Sequence, residues 1–201
     1  MRVLPGDVIV TEGGHDVTGR VLKRIVRSPW THCFVVLDAE TLIESDFPAG
    51  VQVSTLSARL ARLRTEQRSY VLLRYPGLHR YERQSLAKEA RRYTGALYDV
   101  LQALGWACMG RGWPVSASRV TCATLVSDVY ALSRIPLFAW MRCRYMSLAQ
   151  WDQLRRGVVL PADVLMHSTL RVESAWAPRD RAAPRISRRR FFAPPRTLWP
   201  Q

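Results

Sequence analysis

Short apolar runs with β-branched residues crowd the first third of the chain, and they constrain its fold more than any other feature. Residues 7–11, 32–37, 41–45, 51–53 and 70–74 each have the length and composition of a strand and are bounded by Gly, Pro, Asp or polar clusters. Two helical stretches interrupt them. Residues 17–26 carry Arg20, Lys23, Arg24 and Arg27 on a polar side, and residues 56–63 repeat leucine at helical spacing. After Arg74 the period changes to that of helices: 80–92 is a charged helix with Leu86 and Ala90 as a thin apolar stripe, and 96–106 is predicted as a second. A Gly- and Trp-rich loop is expected over 105–118, and Leu125, Val126, Val129 and Leu132 mark a further helix behind Cys122. Strands followed by helices predict an α+β domain, a small antiparallel sheet or partial barrel packed against helices.

The chain has 201 residues, 48% of them hydrophobic and 23% charged, which suits one core. The domain is predicted to span 1–174. Residues 175–201 hold five prolines, the run Arg188-Arg189-Arg190 and no hydrophobic period, and read as a basic Pro/Arg-rich tail. No membrane span is expected: the stretch 93–110 lacks Lys and Arg but carries Asp99 and glycines, whereas a span needs ~20 predominantly apolar residues. The start Met1-Arg2-Val3-Leu4-Pro5-Gly6-Asp7 has no secretory pattern, so a cytoplasmic or phage virion-associated location is expected.

Cys33, Cys108, Cys122 and Cys143 form no C-x-x-C pair and no zinc-like spacing with His15, His32, His79 and His167. Neither a disulfide framework nor a metal or other cofactor is therefore expected. The formal charge is +14, and all but two of the 30 basic side chains are arginine. This charge reads either as a solvated basic surface or as attraction to an anionic polymer or surface, with the tail as one contact. There is no zinc-finger, RNP-like or helix-turn-helix signature, so no specific nucleic-acid partner is expected.

The chemistry centres on the start of the helix behind Thr121. First-turn amides have no intrahelical acceptor and the helix dipole is positive there, which favours a thiolate at Cys122 and can also hold an oxyanion. Read singly, Cys122 also suits the role of a small buried hydrophobe. A cysteine nucleophile needs a base and a group that orients it. His32 starts a strand whose hairpin partner carries Glu44. A three-residue loop at 38–40 sets Phe34 opposite Glu44 and brings Glu44 and His32 diagonally onto one face, ~7–8 Å apart. A two-residue loop turns Glu44 away and leaves Asp46 or Ser45 instead. Cys33 is expected on the other face as inert core.

Leu4-Pro5-Gly6-Asp7-Val8-Ile9, Trp30-Thr31-His32-Cys33-Phe34-Val35-Val36, Leu42-Ile43-Glu44-Ser45 with Gly50-Val51, Tyr98-Asp99 and Thr121-Cys122-Ala123-Thr124-Leu125-Val126 follow one another in this order. Together they resemble the circularly permuted branch of the NlpC-type, papain-like cysteine hydrolases, a branch whose order is shared by lecithin:retinol-acyltransferase-like proteins. The resemblance covers roughly Leu4 to Val172 and includes Leu160-Pro161-Ala162-Asp163-Val164-Leu165. It departs at Cys122-Ala123-Thr124, where members often have Cys-Ser-Glu.

The resemblance implies a papain-like fold with Cys122 as nucleophile, His32 as general base and Glu44 as orienting acid. Tyr98 and Asp99 would lie near the cleft. Apart from the resemblance, Trp106, Met109, Trp113 and Pro114 just before Cys122 read either as an apolar lip for an acyl chain or sugar-peptide or as helix-packing residues. The implied activity is a cysteine peptidase or amidase acting through an acyl-enzyme, directed at peptide or peptidoglycan of a bacterial or phage-attacked envelope. The alternatives are a lipid esterase or acyltransferase acting on acyl-lipid, and a catalytically inactive basic binding or structural protein.

Overall fold

The structure is a computed structural model that describes residues 2–25, 28–102, 118–135, 137, 164 and 170–178. The chain runs β1 (Val8–Glu12), α1 (Val17–Ile25), β2 (Trp30–Val36), β3 (Thr41–Asp46), β4 (Gly50–Thr55), α2 (Leu56–Thr65), β5 (Tyr70–Arg74) and α3 (Arg80–Arg91). It continues with β6 (Leu97–Tyr98), β7 (Arg119–Val120), α4 (Cys122–Leu132) and β8 (Arg171–Trp176). A six-stranded sheet has the order β4-β3-β2-β1-β5-β8, every neighbour antiparallel, and β6 and β7 form a separate parallel pair. The architecture is thus α+β, a mostly antiparallel sheet packed against helices.

The sheet is covered on both faces, which is why its central strands read as unbroken apolar runs. Val8, Val10, Cys33, Val35, Ile43, Val71 and Leu73 share one core with residues of α3 and α4. Ile9, Phe34, Val36, Leu42 and Leu72 turn the other way, onto Leu56, Leu60 and Leu63 of α2. Consecutive residues of one strand therefore serve different cores, as the pleat requires. Every residue of β2 is buried.

The Pro5-Gly6-Asp7 turn ties this sheet to α3 and α4. Gly6 has φ +83, and a Cβ there would lie 2.6 Å from Leu86 Cδ1, so both its backbone and its neighbour demand glycine. Tyr130 Oη donates to Gly6 O at 2.6 Å. Asp7, fully buried, accepts Arg74 Nε at 2.9 Å and Arg74 Nη2 at 2.7 Å, with Arg83 Nη1 at 3.5 Å.

Two expectations are corrected. Leu97 and Tyr98 form a strand where the helix predicted over 96–106 was to begin, and the described helical residues start at 100. Ala96 O accepts from Val51 N, Leu97 N donates to Ser118 O, and β6 pairs with Arg119–Val120, so contacts distant in sequence override the local preference. The second correction is the domain boundary at 174, because Ala175 and Trp176 pair with Val71 and Tyr70 inside β8 and Trp176 stacks on Tyr70. Beyond 178, the expected tail lies outside the described residues, as do Trp106, Trp113 and most of the expected loop over 105–118.

Candidate active site

Helix α4 begins at the cysteine because Thr121, in extended backbone, caps it: Thr124 N donates to Thr121 Oγ1 at 3.3 Å and Leu125 N to Thr121 O at 2.9 Å. Thr124 Oγ1 donates to Gln102 Oε1 at 3.0 Å, tying the first turn to the segment that follows β6. Residues 122–130 are buried without exception, so the helix start is pinned by packing as well as by its cap.

Opposite stands the β2–β3 hairpin. Its register pairs Val36 with Leu42 and Val35 with Ile43, the register of a three-residue loop at 38–40, and the ladder stops there. His32 and Glu44 meet on the expected face, with His32 Nε2 2.9 Å from Glu44 Oε2. Both are buried. Asp46, the other candidate for the third member, is 45% exposed at its side chain and points to Arg59 at 3.9 Å. Ser45 instead braces the cysteine's approach, donating from Oγ to Val120 O at 2.7 Å.

Cys122 follows at the first turn of α4, close enough to Cys33 and His32 for both to act on its ionisation. The Cys33 thiol's hydrogen bond, with the charge and hydrogen bond of His32, holds the Cys122 thiol well below the usual thiol range against the opposing effect of burial. Burial disfavours the charged imidazole at His32, but the Cys122 thiolate and Glu44 more than offset it and push its pKa up to about 10. Burial likewise opposes ionisation of Glu44, and His32, Arg59 and Ser54 outweigh it and keep the carboxyl below its ordinary value. These directions favour a thiolate at Cys122 and an imidazolium at His32, with the Glu44 carboxylate behind it.

Cys33 is on the face opposite His32, as strand alternation requires, in the core shared with α4, and burial together with the nearby Cys122 pushes its thiol up.

Tyr98 is half-buried, and its ring packs edge-on against Phe47 at 6.1 Å. Burial and then the charges of Cys122, Asp46, Asp99 and Cys33 raise its phenol, which keeps it a neutral donor beside the thiolate. Asp99 is buried, and its Oδ1 accepts Gln102 N at 2.9 Å as a helix cap, while its own N–H reaches Val120 O. A surface depression of about 530 Å³, lined in part by Glu89, Arg92, Leu97 and Leu132, lies toward the other end of α4.

Arg59 is the residue that sequence reasoning missed. It lies on the apolar stripe of α2 among Leu56, Leu60 and Leu63, and its Nη2 is 2.9 Å from Glu44 Oε2. A charge in the middle of a leucine stripe was the available signal.

Fold and site together define an α+β protein with a buried His32–Glu44 pair, 2.9 Å apart, and a buried cysteine at the first turn of a helix. No family model matches the chain, and neither does any curated protein. Among solved structures it is similar to the crystal structure of metalloprotein yiiX from Escherichia coli O157:H7, DUF1105, with a TM-score of 0.63 and 20% identity over 89% of this chain and 100% of that one. At that identity the likeness is one of fold. Among the described residues no three His, Cys, Asp or Glu side chains gather as a metal-binding group. No helix among them is long and apolar enough to cross a membrane.

Proposed function

We propose that this chain is a cysteine-dependent acyl-transferring hydrolase of the permuted NlpC-type, papain-like kind, with Cys122 as nucleophile, His32 as acid–base and Glu44 as orienter. The observation that carries the reading is the buried His32–Glu44 contact at 2.9 Å together with a cysteine at the first turn of α4, whose thiol the nearby Cys33 and His32 hold low. The Cys122 thiolate attacks an amide or ester carbonyl, and the developing oxyanion is held by first-turn amides of α4. His32 gives its proton to the leaving amine or alcohol as the tetrahedral intermediate collapses to a thioester. The neutral imidazole then takes a proton from water or another acceptor, which attacks the thioester and releases Cys122.

The substrate class favoured is the peptide amide of an anionic envelope polymer, since a chain of net charge +14 is drawn to such polymers. The lipid-ester reading has one feature in its favour. Phe47 is 65% exposed and packs on Tyr98 near the thiolate, an apolar edge suited to an acyl chain. The experiment is to incubate wild type and Cys122→Ser with purified peptidoglycan fragments and, separately, with acyl esters and phospholipid vesicles. Products are followed by mass, together with acyl adducts on peptide 120–134. Wild-type turnover with a Cys122 adduct, absent from Cys122→Ser, supports the proposal, and the substrate consumed decides between the classes. Equal turnover by the two proteins overturns it. A wild type that binds these polymers without consuming any of them favours the binding-protein reading.

A further inference from the structure

Helix α1 turns apolar side chains away from the protein. Its inner side is set by Gly19 and Lys23: Gly19 is buried, a Cβ there would run into the Gly14 carbonyl, and Lys23 Nζ lies 3.1 Å from Glu12 Oε1. With 3.6 residues per turn, Val17 and Val21 fall on the opposite side and Leu22 on one flank. They are 67%, 52% and 38% exposed. Arg20 and Arg24 occupy the other flank, both exposed, and neither pairs with a carboxylate among the described residues. One exposed valine on a soluble domain is ordinary, but an apolar strip bordered by two free guanidinium groups is a surface with a chemistry of its own.

The strip lies at the rim of the sheet that carries the candidate active site. Strand β1 ends there, with Thr11 opposite His32 and Glu12 opposite Trp30, and β3 runs antiparallel to β2 so that Asp46 ends at the same rim. Helix α1 follows β1, and Phe47, 65% exposed, follows β3. Strands β1 and β3 flank β2, so the two features leave the rim about 10 Å apart.

We propose that α1 and Phe47 seat this rim on an anionic lipid bilayer. Val17, Val21, Leu22 and Phe47 enter the boundary between headgroups and acyl chains, and Arg20 and Arg24 meet lipid phosphates. Both halves of the surface are needed for this choice. An anionic polymer supplies the charge but no apolar phase, and a neutral bilayer supplies the apolar phase without the charge. The Arg-rich sequence beyond residue 178 has the same sign as Arg20 and Arg24 and is repelled by them. Seating turns the end of the sheet that bears His32 and Glu44 toward the lipid. The proposal concerns binding, and it stands whether or not Cys122 turns over a substrate.

The test sediments the full chain with vesicles of phosphatidylcholine alone and of phosphatidylcholine mixed with phosphatidylglycerol, at low and at raised salt. Wild type should bind the mixed vesicles, more weakly as salt rises, and bind phosphatidylcholine alone far less. The triple change Val17→Ser, Val21→Ser and Leu22→Ser keeps the net charge, and it should lower partition onto mixed vesicles about tenfold. Arg20→Gln with Arg24→Gln should lower it about 10–30-fold. Thermal unfolding of each variant checks the fold. As a measurement on wild type alone, amide hydrogen exchange should slow in α1 when mixed vesicles are added and stay unchanged in α3. The proposal is overturned if wild type ignores mixed vesicles, if it binds neutral vesicles equally well, or if exchange in α1 is unaffected. It is also overturned if the triple serine variant binds like wild type, which would assign the attraction to net charge alone. Binding is read without any substrate, so its failure is distinct from failure of the acyl-transfer proposal.

Discussion

Arg59 approaches Glu44 from α2, and its Nη2 lies 2.9 Å from the same Oε2 that His32 Nε2 meets at 2.9 Å. A carboxylate in a buried position is tolerated when cations and donors surround it, and here one comes from the sheet and one from the helix. Arg59→Met should therefore destabilise the fold, by about 3 kcal/mol, because it leaves Glu44 with a cation on one side only. Urea denaturation checks this. Because the two residues share one contact, Arg59→Met combined with Glu44→Gln should cost less than the sum of the single changes. Additive losses would mean that the guanidinium serves only to pack α2.

The thiolate–imidazolium pair predicts an unusual pH profile. An ordinary thiol, with a pKa of ~8.5, loses reactivity about tenfold for each pH unit below that value. Cys122 is held well below the usual range, so its alkylation by iodoacetamide should stay nearly flat on going below about pH 8.5, where an ordinary thiol already declines. It falls only when the pH passes below the lowered Cys122 value and the sulfur takes up a proton. On the alkaline side His32 holds its proton until about pH 10, above which the sulfur loses its charged partner. Peptide mapping of alkylated Cys122 across pH measures the profile, and His32→Ala should restore the steep dependence of a free thiol. A steep wild-type profile would show that the pair is not formed.

The strands were legible because β-branched and aromatic residues fill them, and the His32–Glu44 contact belongs to one of the two registers that the loop length left open, the one the Val35–Ile43 pairing selects. The nucleophile's place was legible from Thr121 and the apolar period behind Cys122. Less was written locally in β6, where Leu97 and Tyr98 take their conformation from Arg119 and Val120, more than twenty residues away. Alternation gave the face of Cys33, but that this face packs on α4 is a property of the assembled sheet and helix. Arg59 was marked only by its discord with three leucines, and its partner lies on another element.

Asp7 separates structure from chemistry. Its carboxylate holds both arms of Arg74 and the Leu4 N–H at 2.8 Å while fully buried, and it touches neither Cys122 nor His32. Asp7→Asn breaks a bidentate, charge-assisted pair and should lower stability by about 3–5 kcal/mol. In the fraction that remains folded, the Cys122 alkylation rate should be that of wild type. A changed rate in folded Asp7→Asn would show that the turn at Gly6 transmits to the site through Tyr130, whose hydroxyl reaches Gly6 O.

The roles assigned to His32 and Glu44 predict unequal losses. Removing the imidazole deletes the proton carrier for both halves of the reaction, so His32→Ala should lower turnover on the substrate that wild type consumes by about 10²–10⁴-fold. Glu44→Gln keeps an oxygen that can accept from the imidazole but removes the charge that stabilises the imidazolium, so it should cost less. Glu44→Ala removes both the charge and the hydrogen bond, and should fall between the two. In Glu44→Gln the His32 pKa should drop from about 10, since the carboxylate is one of the groups that raises it. Turnover should then decline at a lower pH on the alkaline side, because the leaving group is protonated only while His32 carries its proton. Wild-type turnover in Glu44→Ala, with an unshifted alkaline limb, would remove Glu44 from the mechanism and leave Cys122 and His32 to act as a pair.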